Sequence, residues 1–406
     1  MKSFWILSGI MIVFITIFTE QHIVAETSDE FIKTTKRTMI YDEIAGERIK
    51  VGSLEKGQTI KVEGESGNYY QIRFSHGLGQ VLKRDTVIVE NSGFTGKLLE
   101  EKHDQNQMII TRDHVTVYDN VSGTLVPFAK INPNMRYAVV RSYGENWWEI
   151  TIGGRIGYIY KPATEMDTGV PVLMYHHILK DNENKNYRDI STTISLDFFN
   201  ENMKYLADHE YKVITLQELE GYLLRKENLT GKVVAITFDD GLKTNYLYAY
   251  PILKKYGFKV AEFTITNRTR KDPTPFNPET LQFISITEID EMNESQIFSF
   301  QAHSHGLHSR DVNYSPLMIM KSYQEIMHDL QTNQEMLTPY GEVNYFAYPF
   351  GQYDEEALQA LKDSGFRMAF TTKPGKVQIG DSLLELKRQG IGPEHDLQDF
   401  DRKISN

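Results

Sequence analysis

Four short clusters of His, Asp and aromatic residues hold the chemistry of this 406-residue chain. In chain order they are Tyr175-His176-His177, Thr237-Phe238-Asp239-Asp240-Gly241, His303-Ser304-His305-Gly306-Leu307-His308 and Tyr348-Pro349-Phe350-Gly351. Three imidazoles within six positions can give a divalent ion two neutral nitrogen ligands, which one carboxylate completes while a position stays open for water. That is the donor set of a catalytic metal site. The five-residue step from His303 to His308 suits a strand end running into a loop better than the i, i+4 pair of a metal-binding helix. His303 with His305, on one face if the segment is extended, is the rival pair. Asp239 and Asp240 point opposite ways in an extended chain, so one can bind a cation while the other moves protons. An isolated Asp-Asp-Gly is an ordinary turn and a lone His is more often a core residue. Four such clusters in one chain make the bland reading hard to sustain. Cysteine is absent, which excludes a thiol nucleophile, a disulfide framework, Cys-ligated zinc and iron–sulfur clusters. Any metal must sit on His, Asp or Glu.

Each cluster directly follows an apolar run that reads as a buried strand. Strands are expected at Val170 to Tyr175, Val233 to Phe238, Val260 to Thr266, Phe298 to Ala302, Tyr345 to Ala347 and Met368 to Thr371. Helical patterns alternate with them at Leu196 to His209, Leu216 to Arg225, Leu247 to Tyr256, Ser315 to Thr338 and Glu355 to Ser364. Strand–helix alternation over roughly 230 residues implies a parallel sheet, open or closed into a barrel, with the chemistry at the strand C-termini.

The first 165 residues have a different texture, and they repeat. Asn68-Tyr69-Tyr70-Gln71-Ile72 followed by Gly79 matches Asn146-Trp147-Trp148-Glu149-Ile150 followed by Gly157, and Tyr41-Asp42 matches Tyr118-Asp119 upstream. Short alternating strands broken by Gly and Asn turns predict two small all-β barrels, over 33–91 and 109–164, with a polar link from Asn91 to Gln107. Ahead of them, Lys2 and the apolar run Phe4 to Phe18 read as an export signal over 1–25, cleaved after Ala25 or kept as a membrane anchor. The expected location is therefore secreted or at the cell surface, with contact to a membrane only through that segment. A net charge of −11 argues against a nucleic-acid partner. Aromatic content of 12 %, with 23 Tyr and 21 Phe, suits a chain that stacks against sugars, although all-β domains are also Tyr-rich.

The two barrels resemble bacterial Src-homology-3-like domains, which implies either cell-wall binding or a spacer role. Residues 170–400 resemble the polysaccharide deacetylases, the NodB-homology or carbohydrate esterase 4 group: Thr237-Phe238-Asp239-Asp240-Gly241 looks like their first motif and His303-Ser304 like the start of their His-Ser/Thr motif. Leu307 stands where the usual second His falls, and Ala347 where an Arg is usual. Both departures recur in the poly-N-acetylglucosamine deacetylase branch, whose His-Thr-x-x-Leu-His, Tyr-Pro-aromatic-Gly and Met-Tyr-His motifs look like His303 to His308, Tyr348 to Gly351 and Met174 to His176. The resemblance implies a distorted (β/α) barrel and hydrolysis of acetamide groups on N-acetylglucosamine units, in peptidoglycan or in poly-N-acetylglucosamine. It also implies the roles. Asp240, His303 and His308 hold one divalent ion, Zn2+ first and Co2+, Ni2+ or Fe2+ as alternatives. Asp239 is the base and His176 the acid, and the Phe350 N–H faces the oxyanion. Arg388 is the candidate to orient Asp239 in place of the missing Arg. His177 and His305 are left as groove or packing residues, and Tyr348 and Phe350 as sugar-stacking or core aromatics. The basic stretch Asn267-Arg268-Thr269-Arg270-Lys271 after a strand reads as a solvated turn, while Glu262 is either a buried partnered charge or a mark of divergence. An O-acetyl esterase and a degenerate wall-binding protein are the competing readings.

Overall fold

The structure, a computed structural model, describes residues 30–44, 46–90, 96–97 and 106–406. The expected export signal, and nearly all of the link between the barrels, lie outside the described residues. Among the described residues no helix is long and apolar enough to cross a membrane.

Residues 31–89 and 108–166 form two all-β units of the same design. The repeated Asn-aromatic-aromatic motif opens the same hairpin in each. Tyr69–Phe74 pairs antiparallel with Gly77–Leu82, and Trp147–Ile152 with Arg155–Tyr160. Strand alternation sends Tyr70, Ile72 and Phe74 inward in the first hairpin. The two units are fused rather than strung apart. Gly52, Ser53 and Leu54 pair with Ile131, Lys130 and Ala129, and Ile152 pairs with Phe74, so one ten-stranded sheet runs through both. A single apolar core containing Ile60, Ile72, Phe128 and Ile152 lies behind it.

From residue 172 onward seven parallel strands close into a barrel: β1 (Val172–Tyr175), β2 (Val233–Asp240), β3 (Val260–Thr264), β4 (Phe298–Ala302), β5 (Tyr345–Ala347), β6 (Met368–Pro374) and β7 (Leu386–Gly390). Their order around the ring is β1-β7-β6-β5-β4-β3-β2, and β1 closes it by pairing with β2 as well as β7. A short strand, Lys212–Ile214, adds to the first half of β2. The barrel is distorted, for β4 and β5 share only the Ala302–Phe346 pair and the β6–β7 register slips between Phe370 and Pro374. The Val-Val-Ala-Ile-Thr-Phe run of β2 is buried throughout, as a parallel strand covered on both faces must be.

Around the strands pack α1 (Leu196–Asp208), α2 (Leu216–Leu223), α3 (Tyr250–Tyr256), α4 (Ile286–Glu294), α5 (Tyr323–Leu337), α6 (Glu355–Asp363) and α7 (Leu397–Ile404). The helix expected over Ser315 to Thr338 begins only at Tyr323. Ser322 and Glu325 form a capping box there, each side chain meeting the other's backbone N–H, and the preceding residues form a hairpin and a short 3-10 turn. The barrels dock onto this domain through a buried ion pair, Arg136 Nε to Asp167 Oδ2 at 2.9 Å, with Tyr222 donating to the same oxygen at 3.2 Å. Arg136 also donates to the Gly231 carbonyl at 2.8 Å, and the His76 ring meets Tyr222 edge-on at 5.7 Å.

Candidate active site

The four clusters converge at the C-terminal ends of the strands. His176, Asp239, Asp240, His303, His308 and Phe350 line one open cavity of about 410 Å3, together with Glu394 and His395.

Asp239 and Asp240 end β2 and do separate. Asp239 remains in the barrel interior, 2 % exposed. Asp240 adopts a left-handed backbone (φ 78°), and Gly241 follows it there (φ 71°). A Cβ on Gly241 would sit 3.1 Å from Thr264 Cγ2, so glycine supplies both the dihedral and the clearance. Strain at Asp240 is of the kind that collects at functional sites. Glu262, which sequence alone left unexplained, is a buried and partnered acid. It accepts the Gly241 N–H at 3.0 Å and the Asn245 amide at 3.0 and 3.3 Å, so it braces the Asp turn from behind. Burial pushes its carboxyl well above the usual range, and the neighbouring Asp239 and Asp240 push the same way.

Asp240 Oδ1 lies 3.6 Å from His303 Nε2 and 3.3 Å from His308 Nε2. His303 Nδ1 donates to the Ala347 carbonyl at 2.7 Å, which leaves the Nε2 lone pair facing Asp240. Burial lowers the His303 imidazole, with Asp239 and Asp240 offsetting it only in part. Burial, then the neighbouring His303, lowers His308 to about 3. Both rings are therefore neutral at pH 7, as nitrogen ligands must be. His305 is turned elsewhere, its Nδ1 hydrogen-bonded to Thr266 Oγ1 at 3.0 Å, so the rival pair is not assembled. The stretch Asn267 to Lys271 is a turn with Asn267, Arg270 and Lys271 exposed, but Arg268 is half-buried and partnered. It donates to the His308 carbonyl at 2.6 Å and lies over the Phe283 ring, fixing the far end of the His segment.

Arg388 is fully buried on β7 and forks onto Asp239, Nη1 to Oδ1 and Nη2 to Oδ2, both at 2.7 Å. Burial alone would raise the Asp239 carboxyl, but Arg388, His303 and His176 overrule it and hold the group well below the carboxylate range. His176 Nε2 stands 3.7 Å from Asp239 Oδ2. Phe350 is left-handed (φ 58°) in the turn Pro349–Gly351. Gly351 must be glycine because a Cβ would approach Thr372 Oγ1 to 2.2 Å. The Phe350 ring lies against His308 at 4.5 Å and beneath the Arg310 guanidinium at 4.0 Å. Tyr348 is fully buried, its hydroxyl donating to the Leu384 carbonyl, and it forms part of the cavity wall. His177 is also packed, edge-on to Tyr187 and near Thr193 Oγ1.

Residues 226–369 match the family model described as polysaccharide deacetylase. The chain is 30 % identical over 209 residues to a poly-β-1,6-N-acetyl-D-glucosamine N-deacetylase of Staphylococcus aureus, covering 49 % of this chain and 70 % of that one. The chain belongs to the polysaccharide deacetylases. Membership in that family makes it a hydrolase of carbon–nitrogen bonds other than peptide bonds. Two solved structures share the fold. A Streptococcus pyogenes deacetylase in complex with acetate superposes with a TM-score of 0.50 at 24 % identity, over 59 % of this chain and 99 % of that one. The Bacillus anthracis chain BA0330 does so with a TM-score of 0.50 at 22 % identity, over 84 % of this chain and all of that one.

Proposed function

We propose that this polysaccharide deacetylase is an exported, metal-dependent enzyme that hydrolyses the acetamide groups of a polymer of N-acetylglucosamine. The observation that carries the metal reading is Asp240 Oδ1, buried without a hydrogen-bond partner and facing two imidazole nitrogens. An acceptor among acceptors is costly unless a cation lies between them. The donor set of one carboxylate and two imidazoles, with all three ligand atoms within 4.8 Å of one another, fits zinc, and Co2+, Ni2+ or Fe2+ share that preference. A divalent ion held there supplies a Lewis acid for the acetyl carbonyl and lowers the pKa of water.

The chain's own groups account for the rest. Asp239, kept ionised and aimed by Arg388, takes the proton of the water that attacks the acetyl carbon. The Phe350 N–H donates to the carbonyl oxygen as negative charge develops on it. His176 delivers a proton to the glucosamine nitrogen, which turns a very poor leaving group into an amine; the C–N bond breaks and acetate is the second product. Poly-N-acetylglucosamine is favoured over peptidoglycan by the five-residue His303 to His308 step and by the Staphylococcus aureus relative. Export rests on the apolar segment Phe4 to Phe18. The two barrels serve as the contact with the cell envelope.

Acetate release by the purified protein from β-1,6-linked N-acetylglucosamine oligomers and from isolated peptidoglycan, with and without chelator, tests the reading. Chelator-sensitive acetate, greater from the oligomers, is expected. A folded, zinc-loaded protein that releases none from either substrate overturns it.

A further inference from the structure

We propose that Asp329 and Asn333, one turn apart on α5, are positioning residues that hold the His303 to His308 segment in its cation-binding shape. The inference rests on the metal reading above.

The buried residues of α5 are Ile326, Asp329, Leu330, Asn333 and Leu337, a stripe with the spacing of a core-facing helix. Two of its five positions are polar. Asp329 is 8 % exposed and Asn333 fully buried, and neither lines the active-site cavity. Burying a carboxylate and an amide there is costly unless they find hydrogen-bond partners.

The Asp329 carboxylate and the Asn333 amide nitrogen both reach the His303 to His308 segment, while Asn333 Oδ1 stays without a partner. The Asp329 carboxylate accepts the N–H of His305 at 2.7 Å and of Gly306 at 2.6 Å, one on each oxygen. Asn333 Nδ2 faces three acceptors, the Ser304 carbonyl at 2.6 Å, Thr266 Oγ1 at 3.0 Å and the Thr264 carbonyl at 3.1 Å. Three acceptors around one nitrogen fix the amide's orientation. Thr266 Oγ1, which accepts from Asn333, also meets His305 Nδ1 at 3.0 Å. This link ties His305 to the end of β3 and leaves His308 to complete the trio.

The segment needs such a hold. Ser304 is left-handed (φ 68°) between His303 and His305, and its Oγ is buried without a partner. A non-glycine residue in that region persists only where the surroundings over-determine it. Asn333 grips the carbonyl of the strained residue and Asp329 the two N–H groups that follow. Together they set where the chain leaves His303 and so where it delivers His308.

The test compares the full-length wild type with Asp329→Ala, Asn333→Ala, the milder Asp329→Asn, and Leu330→Ala as a control from the apolar core stripe of the same helix. Three readouts are taken: the Kd for Zn2+ alone by calorimetric competition with a chelator, the Tm of the metal-free protein, and kcat and KM separately. Asp329→Ala and Asn333→Ala are expected to weaken zinc binding about tenfold or more and to lower kcat with little change in KM. Asp329→Asn, which keeps one acceptor oxygen, falls between them and wild type. Leu330→Ala lowers the Tm yet keeps the wild-type zinc Kd. If Leu330→Ala weakens zinc as much as the other two, or if those two bind zinc like wild type, the positioning role is overturned. Should either alanine variant fail to fold, the zinc Kd of Asp329→Asn decides. A wild-type protein that binds no zinc refutes the metal reading itself, an outcome distinct from the others.

Discussion

Replacing Arg388 with Met gives the sharpest test of how the base is held. Arg388 is fully buried, and its guanidinium donates to both Asp239 oxygens, to Thr237 Oγ1 and to the Thr371 carbonyl. Methionine fills most of the volume but offers no donor, so Asp239 is left as an unpaired carboxylate in the barrel. Removing one partner of a buried ion pair costs about 3–5 kcal/mol. A second route gives the same size. Without Arg388, burial dominates and Asp239 escapes its charge by taking a proton. Protonating an ordinary carboxyl at pH 7 lies about three pH units uphill, or about 4 kcal/mol. For a domain of this size that lowers Tm by roughly 10 °C. The sign with pH follows. In the wild type the depressed Asp239 stabilises the fold above the ordinary carboxylate pKa, and that contribution is lost only as pH falls below it through the depressed folded-state value. In the variant the raised carboxyl is a penalty on the fold that shrinks as pH falls towards the ordinary carboxylate range, so the gap between the two proteins narrows from pH 7 to pH 4. Calorimetry of both proteins in chelator at pH 7, 5.5 and 4, with acetate release measured at pH 7, makes the comparison. A Tm loss under about 2 °C at pH 7 with activity retained would mean that Arg388 does not hold Asp239, and the assignment would fall.

Asp239→Asn should keep wild-type zinc content and reduce kcat by orders of magnitude; substantial turnover removes Asp239 as the base. His308→Ala should purify without zinc while His305→Ala retains it, as plasma emission on dialysed protein will show, and the reverse result reassigns the ligand pair. His76, at the barrel junction, is lowered to about 4 by burial first and then by Arg225 and Arg73. The unfolded chain therefore takes up a proton between pH 6.5 and 4 that the fold resists, a loss on the order of 3 kcal/mol as pH falls. Urea unfolding of His76→Phe across that range should show a shallower pH slope than wild type by about one proton; an unchanged slope contradicts the assignment.

The donor types of the site were legible because His and Asp at strand ends have few other reasons to cluster, and six of the seven barrel strands announced themselves as apolar runs. The seventh did not. Leu386-Lys387-Arg388-Gln389-Gly390 is a polar stretch by composition, yet it closes the barrel because Arg388 spends its charge on Asp239 inside. Arg388 was reached only through the family resemblance, which left a vacancy at Ala347 to be filled. The supports were invisible for a related reason. Asp329, Asn333 and Arg268 are polar residues in polar company, and what distinguishes them is a partner between 24 and 69 positions away, whereas Glu262 showed itself by interrupting an apolar strand. A polar residue on the core-facing stripe of α5 was the one available clue. The pairing of Gly52, Ser53 and Leu54 with the second barrel likewise leaves no mark on a repeat that reads as two separate units.

That continuous ten-stranded sheet, welded in turn to the barrel by Arg136 and Asp167, gives the molecule a fixed reach. Whatever the β units rest on, the mouth of the cavity stands off from it at one distance and one tilt. With the β units as the proposed envelope contact, the enzyme would work along a polymer by moving bodily, as a caliper does, instead of swinging a tethered head across it. Acetyl groups held nearer or farther than that span escape, so the spacing of free amines left along a surface-bound polymer would record the dimensions of the protein that made them.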